Sequence, residues 1–455
     1  MTGPAFGTSG LRGLARDLSD ALVAAHVGAF LACCPPGRGL FVGRDLRASS
    51  PRIARAVARR ALRAGLEVHE CGAVPTPSLA GAAMAAECAA IMVTGSHIPG
   101  DRNGLKFYTP AGEITKDDER RIVAALDAAE SRPLPPRGRF RRTSGVDGRH
   151  ARGVAAAFGR VLPGWRVGVW MHATVAGPAI VEMIGAMGGE AVPLDPAEDF
   201  VAVDTEALDP ALAETFRRWA SEHRLDAIVS ADGDGDRPLI ADADGHVLAG
   251  DVIGILTAQE IGARVVVTPL TVTDAVHEAG FDRVVTTRVG SPHVIAAMAA
   301  AGEGRVLGFE ANGGVIAGAR GWGAPVGTRD ALLPIAAVLA AAARGPGLAA
   351  LHAALPSRDT AADRLAGIDP ARAAALVERL VADRAARDAF FAPTGRIVDI
   401  DRRDGMRLRF DAGDVVHLRM SGNAPELRVY AQSPRPGAAR AHVAEYLARL
   451  AAELG

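Results

Sequence analysis

Lysine is nearly missing from this sequence. Among 455 residues only Lys106 and Lys116 occur; every other basic side chain, histidine aside, is arginine. Such a chain uses arginine wherever a permanent cation suffices. A lysine inside a Gly- and Asn-containing segment, as Lys106 is, therefore points to a role for a compact ammonium whose pKa can move. Lys116, among Asp117, Asp118 and Glu119, reads as a surface charge. Charge of one sign is also lacking. A net charge of -1 excludes the basic excess of a nucleic-acid protein and the polybasic patch of a membrane-surface protein. The four cysteines, Cys33, Cys34, Cys71 and Cys88, include no Cys-x-x-Cys pair. That excludes a disulfide framework and a zinc site, and fits a reducing, cytoplasmic setting. No uninterrupted apolar stretch reaches the roughly 18 residues a bilayer span needs. The apolar run 21–34 follows Asp17 and Asp20 without a basic leader, and reads as a buried helix rather than a signal segment.

What is present is a plan repeated three times. A chain this long predicts two to four domains. Strands are expected at 39–45, 67–74 and 89–94, with a helix at 50–64. The pattern restarts with strands 166–170, 191–194 and 226–230 around helices 177–187 and 206–218. It restarts again with strands 264–268, 283–287 and 305–309, and helices ending near 280 and 300. Strands alternating with helices imply parallel or mixed sheets under helical layers. After the breaker 344–347 the tail changes character, with short strands at 397–400, 406–410, 415–420 and 427–431 and a closing helix at 438–454. The Pro- and Arg-rich segment 131–142 reads as a linker. The expectation is an α/β chain: three consecutive α/β domains with mixed sheets, plus a C-terminal α+β domain. Boundaries fall at 1–140, 150–250, 251–355 and 370–455.

In each α/β unit the last strand empties into a polar, glycine-containing loop, where open α/β sheets bind ligands. The first is Thr94-Gly-Ser-His97, with Lys106 downstream. A glycine before serine at a strand end lets the hydroxyl protrude, although the same residue types also build plain turns. The second is Asp232-Gly-Asp-Gly-Asp-Arg237. Three carboxylates at alternate positions are costly without a cation, and hard oxygen ligands favour magnesium or calcium. An EF-hand is excluded, because its sixth position would be Arg237 and its twelfth Ala243. The third, Glu310-Ala-Asn-Gly-Gly314, is equally a β-turn or a holder of sugar hydroxyls. In the tail, Arg419 and Arg428 flank Ser421, Gly422 and Asn423, the parts of a phosphate cradle. A fifth segment, Phe6-Gly-Thr-Ser-Gly-Leu-Arg-Gly13, carries Arg12. Walker A, His-Glu-x-x-His and post-strand Gly-x-Gly-x-x-Gly patterns are absent.

These five segments, in this order, resemble the α-D-phosphohexomutase family across essentially the whole chain, most like its bacterial phosphomannomutase/phosphoglucomutase members. The resemblance implies four domains around a central cleft: a phosphoserine-loop, a metal-binding, a sugar-binding and a phosphate-binding domain. It implies Ser96 as the phosphorylated serine, and Asp232, Asp234 and Asp236 as magnesium ligands together with a phospho-Ser96 oxygen. It implies His97, Lys106, Arg12 and Arg237 around the transferring phosphoryl, with Lys106 and His97 as proton carriers. Arg288, Glu310 and Asn312 would meet the sugar, and Arg419, Ser421, Gly422, Asn423 and Arg428 the second phosphate. The implied activity interconverts hexose 1-phosphate and hexose 6-phosphate, mannose being the expected sugar, with a hexose 1,6-bisphosphate as intermediate and activator. The partner is a small-molecule hexose phosphate, with no nucleic acid or membrane, and the chain is expected as monomer or homodimer. Glucose or dual specificity, and a non-catalytic sugar-phosphate sensor, remain the alternatives. Three loops depart from the pattern. Asn312 replaces serine and Gly314 stands where many members have histidine. Asn423 replaces threonine and Ala424 glutamate. The nucleophile loop continues His-Ile-Pro-Gly-Asp-Arg-Asn-Gly.

Overall fold

The computed structural model describes all residues except 1–2, 8–9, 127–137, 198–199, 206–207, 210, 303, 319–320, 326, 357, 422–425 and 455. Four sheets follow one another along the chain, and the first three repeat one device. Ala89–Val93 pairs in parallel with Leu40–Arg44 and, after its loop, antiparallel with Arg102–Thr109. Ala227–Ala231 pairs in parallel with Arg166–Trp170 and then antiparallel with Pro238–Asp242. Val306–Phe309 pairs in parallel with Val265–Pro269 and then antiparallel with Val315–Ala317. Each polar loop is therefore the bend where a parallel strand turns back on itself. Its base is fixed by the pairs Val93↔Leu105, Ala231↔Pro238 and Phe309↔Val315. Apolar strands buried on both faces hold the bends rigid: every residue of Ala89–Val93, Ala227–Ala231 and Val306–Phe309 is buried.

The sequence rules account for most helices. Ser19 caps Asp20–Cys33, accepting from the Leu22 amide, and the helix buries Val23, Val27 and Phe30, as expected for run 21–34. Thr115 and Asp118 form a capping box on Lys116–Ala124, satisfying two otherwise orphaned amides. Among the described residues no single helix is long and apolar enough to cross a membrane.

Several elements differ from expectation. The helix read up to residue 280 is only the short 3-10 turn Asp274–Glu278. The helix expected at 206–218 runs Ala211–His223. Part of the expected linker, Phe140–Arg142, is a strand parallel to Val68–Ala73, added to an edge that would otherwise leave amides unpaired. The tail sheet gains a fifth strand, Asp359–Ala366, ahead of the expected 370 boundary. It pairs along its whole length with Glu426–Ser433.

The apolar core is shared unequally. One cluster runs through the second and third sheets and encloses Leu332–Arg344, buried on nearly every side. The first sheet and the tail have clusters of their own. Polar contacts join the units. His150 lies 2.9 Å from Ser78 Oγ and 3.0 Å from Asp330 Oδ2, linking elements of the first three units. The tail docks on the third through Arg407 Nη2 to Asp274 Oδ1 (2.6 Å), and through Gln432 to Asp274 N and Val272 O.

Candidate active site

The loop after Ala89–Val93 is held by an arginine the sequence did not single out. Arg47 is fully buried and ion-paired with Asp45 at 3.0 Å. Its guanidinium donates to the carbonyls of Ser96 (2.7 Å), Ile98 (2.5 Å), Pro99 (2.6 Å) and Arg102 (3.0 Å). Residue 95 is glycine because a Cβ there would lie 2.5 Å from that guanidinium carbon. Ser96 itself adopts φ +53°, a left-handed conformation that a non-glycine residue holds only where its surroundings compel it. The bend aims its hydroxyl across to the second unit, where Ser96 Oγ donates to Asp232 Oδ2 at 2.5 Å. His97 Nδ1 lies 3.2 Å from Ser96 Oγ.

Asp232, Asp234 and Asp236 are buried together, with one oxygen of each inside a 4.8 Å span. Asp232 Oδ1 accepts the amides of Asp236 and Arg237. Asp234 Oδ2 accepts from the Thr76 hydroxyl and from Lys106 Nζ (2.6 Å), and Lys106 also donates to Asp236 Oδ2 at 2.5 Å. Burial, with Asp234 and Asp236 alongside, pushes the Asp232 carboxyl up to about 8. Burial pushes Asp236 up as well, but Arg329, Lys106 and Arg237 outweigh it and hold that group well below the usual carboxylate range. Lys106 does not have the lowered pKa its isolation in the sequence suggested. Burial pulls it down, yet Asp234 and Asp236 raise it above its ordinary value. His97 is driven well below its ordinary value by burial, then by Arg237 and Arg12, which leaves a neutral imidazole. Burial, Arg237 and Arg329 bring Arg12 down to about 10.

This donor set fits a divalent cation. Asp234 Oδ1 and Asp236 Oδ1 are buried without a hydrogen-bond partner, costly for carboxylate oxygens unless a cation meets them. All the donors are hard oxygens.

Above this floor lies a cavity of about 310 Å³. Of the residues expected from sequence, Arg12, His97, Arg237, Glu310, Asn312, Arg419, Ser421 and Arg428 line it. Ser96, Lys106 and the three aspartates lie buried behind. Asn312 Oδ1 accepts the Gly314 amide at 2.9 Å, closing the third loop. Arg419 pairs with Asp404 at 3.0 Å. Arg288 is not in the cavity lining: its Nε donates to the Arg403 carbonyl (2.6 Å), on the seam with the tail. Gly422 and Asn423 lie outside the described residues. A second arginine missed in the sequence is Arg329. It lines the cavity and pairs with both Asp236 (2.7 Å) and Glu310 (2.8 Å).

Known proteins match this chain over nearly its full length. A phosphomannomutase of Sinorhizobium fredii (strain NBRC 101917 / NGR234) is 41% identical, over 98% of this chain and 99% of its own. The chain belongs to the phosphoglucomutase/phosphomannomutase family. Domain I of that family, described as alpha/beta/alpha, matches residues 3–133, and domain III residues 249–358. A phosphomannomutase of Salmonella muenchen is 35% identical over 99% of this chain and 96% of its own. The crystal structure of a phosphoglucomutase/phosphomannomutase family protein from Burkholderia thailandensis superposes with TM-score 0.78. It is 22% identical and covers 97% of this chain and 96% of its own, a likeness of fold.

Proposed function

We propose that this chain interconverts mannose 1-phosphate and mannose 6-phosphate through phospho-Ser96 and a mannose 1,6-bisphosphate intermediate. The observation that carries the reading is the Ser96 hydroxyl, held in a left-handed bend 2.5 Å from Asp232 of a buried three-aspartate loop. The two full-length relatives named as phosphomannomutases support mannose over glucose. A sensor that never transfers phosphate would have no use for a hydroxyl presented in this way.

In the forward half-reaction the Oγ–P bond of phospho-Ser96 breaks as a bond forms from phosphorus to the free sugar hydroxyl. That hydroxyl's proton passes to neutral His97, which gives a proton to the departing Ser96 Oγ, 3.2 Å from its Nδ1. In the return half-reaction the bisphosphate presents its other phosphoryl to Ser96 Oγ. The same imidazole takes up the serine proton and passes a proton to the sugar oxygen that has lost its phosphoryl, and the isomerised monophosphate is released. Phosphoryl transfer needs positioning and charge neutralisation more than covalent chemistry, and Arg12 and Arg237 on the cavity wall meet the moving phosphoryl. Lys106 stays protonated between Asp234 and Asp236, so its part is electrostatic. Glu310 and Asn312 face the sugar. Arg419, Ser421 and Arg428, with Gly422 and Asn423, hold the phosphate that is not reacting. Asp232, Asp234 and Asp236 would hold magnesium, which supplies positive charge to the phosphoryl oxygens when bound. A hexose 1,6-bisphosphate activates by loading Ser96.

The test is phosphorus NMR of the purified protein with magnesium, a trace of glucose 1,6-bisphosphate and mannose 1-phosphate, beside a tube with glucose 1-phosphate. Mannose 6-phosphate is expected to accumulate faster than glucose 6-phosphate. Ser96→Ala is expected to lose on the order of a thousand-fold or more in turnover. Free phosphate as the only product would replace this reading with a phosphatase, and full turnover by Ser96→Ala would end it.

A further inference from the structure

Among the described residues of the cavity wall, Arg329 is the one arginine that neither the motifs nor the steps above use. It sits on the short edge strand Arg329–Asp330, paired to Val315–Ala317. Its side chain is buried, yet the residue lines the cavity. Nε and Nη2 donate to Asp236 Oδ2 at 3.2 and 2.7 Å, and Nη1 donates to Glu310 Oε2 at 2.8 Å. One planar guanidinium thus spans two loops from different sheets, which only the fork geometry of arginine allows. The side chain crosses directly over Gly314. A Cβ built there would lie 2.8 Å from Arg329 Cδ, too close without displacing the arginine. Nothing about the Gly314 backbone requires glycine, since its φ lies outside the left-handed range. Arg329 is the nearest obstacle to a side chain, with Asn312 Oδ1 at 3.0 Å and the Asp236 carbonyl oxygen at 3.1 Å crowding the same position.

We propose that Arg329 is a positioning residue that ties the metal loop to the sugar loop by sharing its guanidinium between Asp236 and Glu310, and that residue 314 is glycine to leave it room. Two consequences follow, of opposite sign. Arg329 orients Glu310 toward the sugar, so losing it harms turnover. It also lends positive charge to Asp236, so losing that charge makes the three-aspartate loop a stronger cation site. The Asp236 oxygen left without a hydrogen bond is Oδ1, with Arg237 Nε 3.9 Å away, while Arg329 occupies Oδ2, so cation and Arg329 can bind the same carboxylate without excluding one another.

The inference rests on the mutase reading for its turnover arm only. Mn2+ binding to the full-length protein is measured by the paramagnetic resonance of free Mn2+, with hexose phosphate turnover and thermal melting measured in parallel. Arg329→Gln, which removes the charge, is expected to bind Mn2+ at least about ten-fold more tightly while kcat/KM falls ten-fold or more. Arg329→Lys keeps the charge but cannot span both carboxylates, so Mn2+ affinity stays near wild type while turnover falls. Gly314→Ala, which pushes the arginine aside, is expected to lower turnover with native melting. A folded Gln variant with unchanged or weaker Mn2+ binding would overturn the proposal, as would a Lys variant with wild-type turnover. Should the Gln variant not fold, the Lys and Gly314→Ala variants decide. If the wild-type protein isomerises neither sugar phosphate, the functional reading fails while the Mn2+ comparison still tests Arg329.

Discussion

His417 stands at the centre of the tail sheet, stacked 5.5 Å from Tyr430, with Nε2 2.6 Å from the Asp404 carbonyl and Nδ1 buried without a partner. Burial, helped by Arg407 and opposed by that carbonyl, pulls it down to about 4 from 6.5. The unfolded chain takes up this proton near 6.5, whereas the folded one does not until about 4. Its linked stability is therefore full above pH 6.5 and is lost as pH falls through that window, by at most about 3 kcal/mol. His417→Gln keeps an N–H donor and removes the titration. Its melting temperature is expected to fall less steeply than that of wild type between pH 6.5 and 4.5; parallel curves would show that other groups carry the acid response. Residues of this kind define what the sequence could and could not disclose. The three aspartates stood out because their alternate spacing is itself chemical information, whereas Ser96 was set apart from a plain turn only by the family resemblance. Arg47 and Arg329 were not, because arginine is the default cation of this chain and neither lies in a motif. The one trace of Arg329 was negative, a glycine at 314 where a side chain was expected. For Lys106 the sequence showed the position but misjudged the charge balance, since the aspartates that raise its pKa are more than a hundred residues away.

The helix Gly250–Glu260 shows how an element's packing reaches the site. It approaches the third loop through two glycines one turn apart. A Cβ on Gly254 would lie 2.2 Å from the Phe309 ring, and one on Gly250 would lie 2.3 Å from the Ala311 carbonyl oxygen and the Gly313 amide nitrogen. Neither glycine has a positive φ, so contact alone requires them. Phe309 is the residue before Glu310, and the ring is wholly buried. Gly254→Ala is therefore expected to cost about 1–3 kcal/mol, the usual penalty for overpacking. By shifting the strand end that carries Glu310, it should also lower kcat/KM several-fold. Chemical denaturation and steady-state kinetics on one preparation test this, and lost stability with unchanged kinetics would confine the effect to the core. At this scale the hydrophobic runs disclosed the three parallel strands of each unit. They did not disclose Asp359–Ala366, whose Asp-Thr-Ala-Ala-Asp-Arg-Leu-Ala has a single β-branched residue and becomes a strand because Glu426–Ser433 offers it a full ladder. Nor did they disclose the edge strand Phe140–Arg142, three exposed residues placed by pairing alone.

Across the whole molecule, the loops proposed to hold the metal and the sugar belong to two units with a shared core, the loop of Ser96 belongs to a unit with its own, and the Ser78–His150–Asp330 chain links all three. Arg419 and Arg428, proposed to hold the second phosphate, belong to a tail with its own core. The tail meets the third unit largely through polar groups, so docking depends on a few pairs. Chief among them is Arg407, buried, with Nη2 2.6 Å from Asp274 Oδ1; Arg409 reaches the same carboxylate only at 3.8 Å. A mutase that carries its phosphoryl on Ser96 must keep water away during each half-reaction, and a docked tail closes the cavity from the side of Arg419 and Arg428. Arg407→Gln removes the charge and leaves the half-buried Asp274 carboxylate short of a partner, so the docked arrangement loses stability relative to a looser one. Two effects are expected together. KM for the hexose phosphate rises, because Arg419 and Arg428 are no longer held over the bound phosphate. Inorganic phosphate released per isomerisation rises on the order of ten-fold, because phospho-Ser96 meets water. Phosphate release and 6-phosphate formation measured in one reaction give that ratio directly. A raised KM with an unchanged ratio would mean that the tail binds the substrate phosphate but does not shield the phosphoserine, and the shield would then have to lie in the first three units.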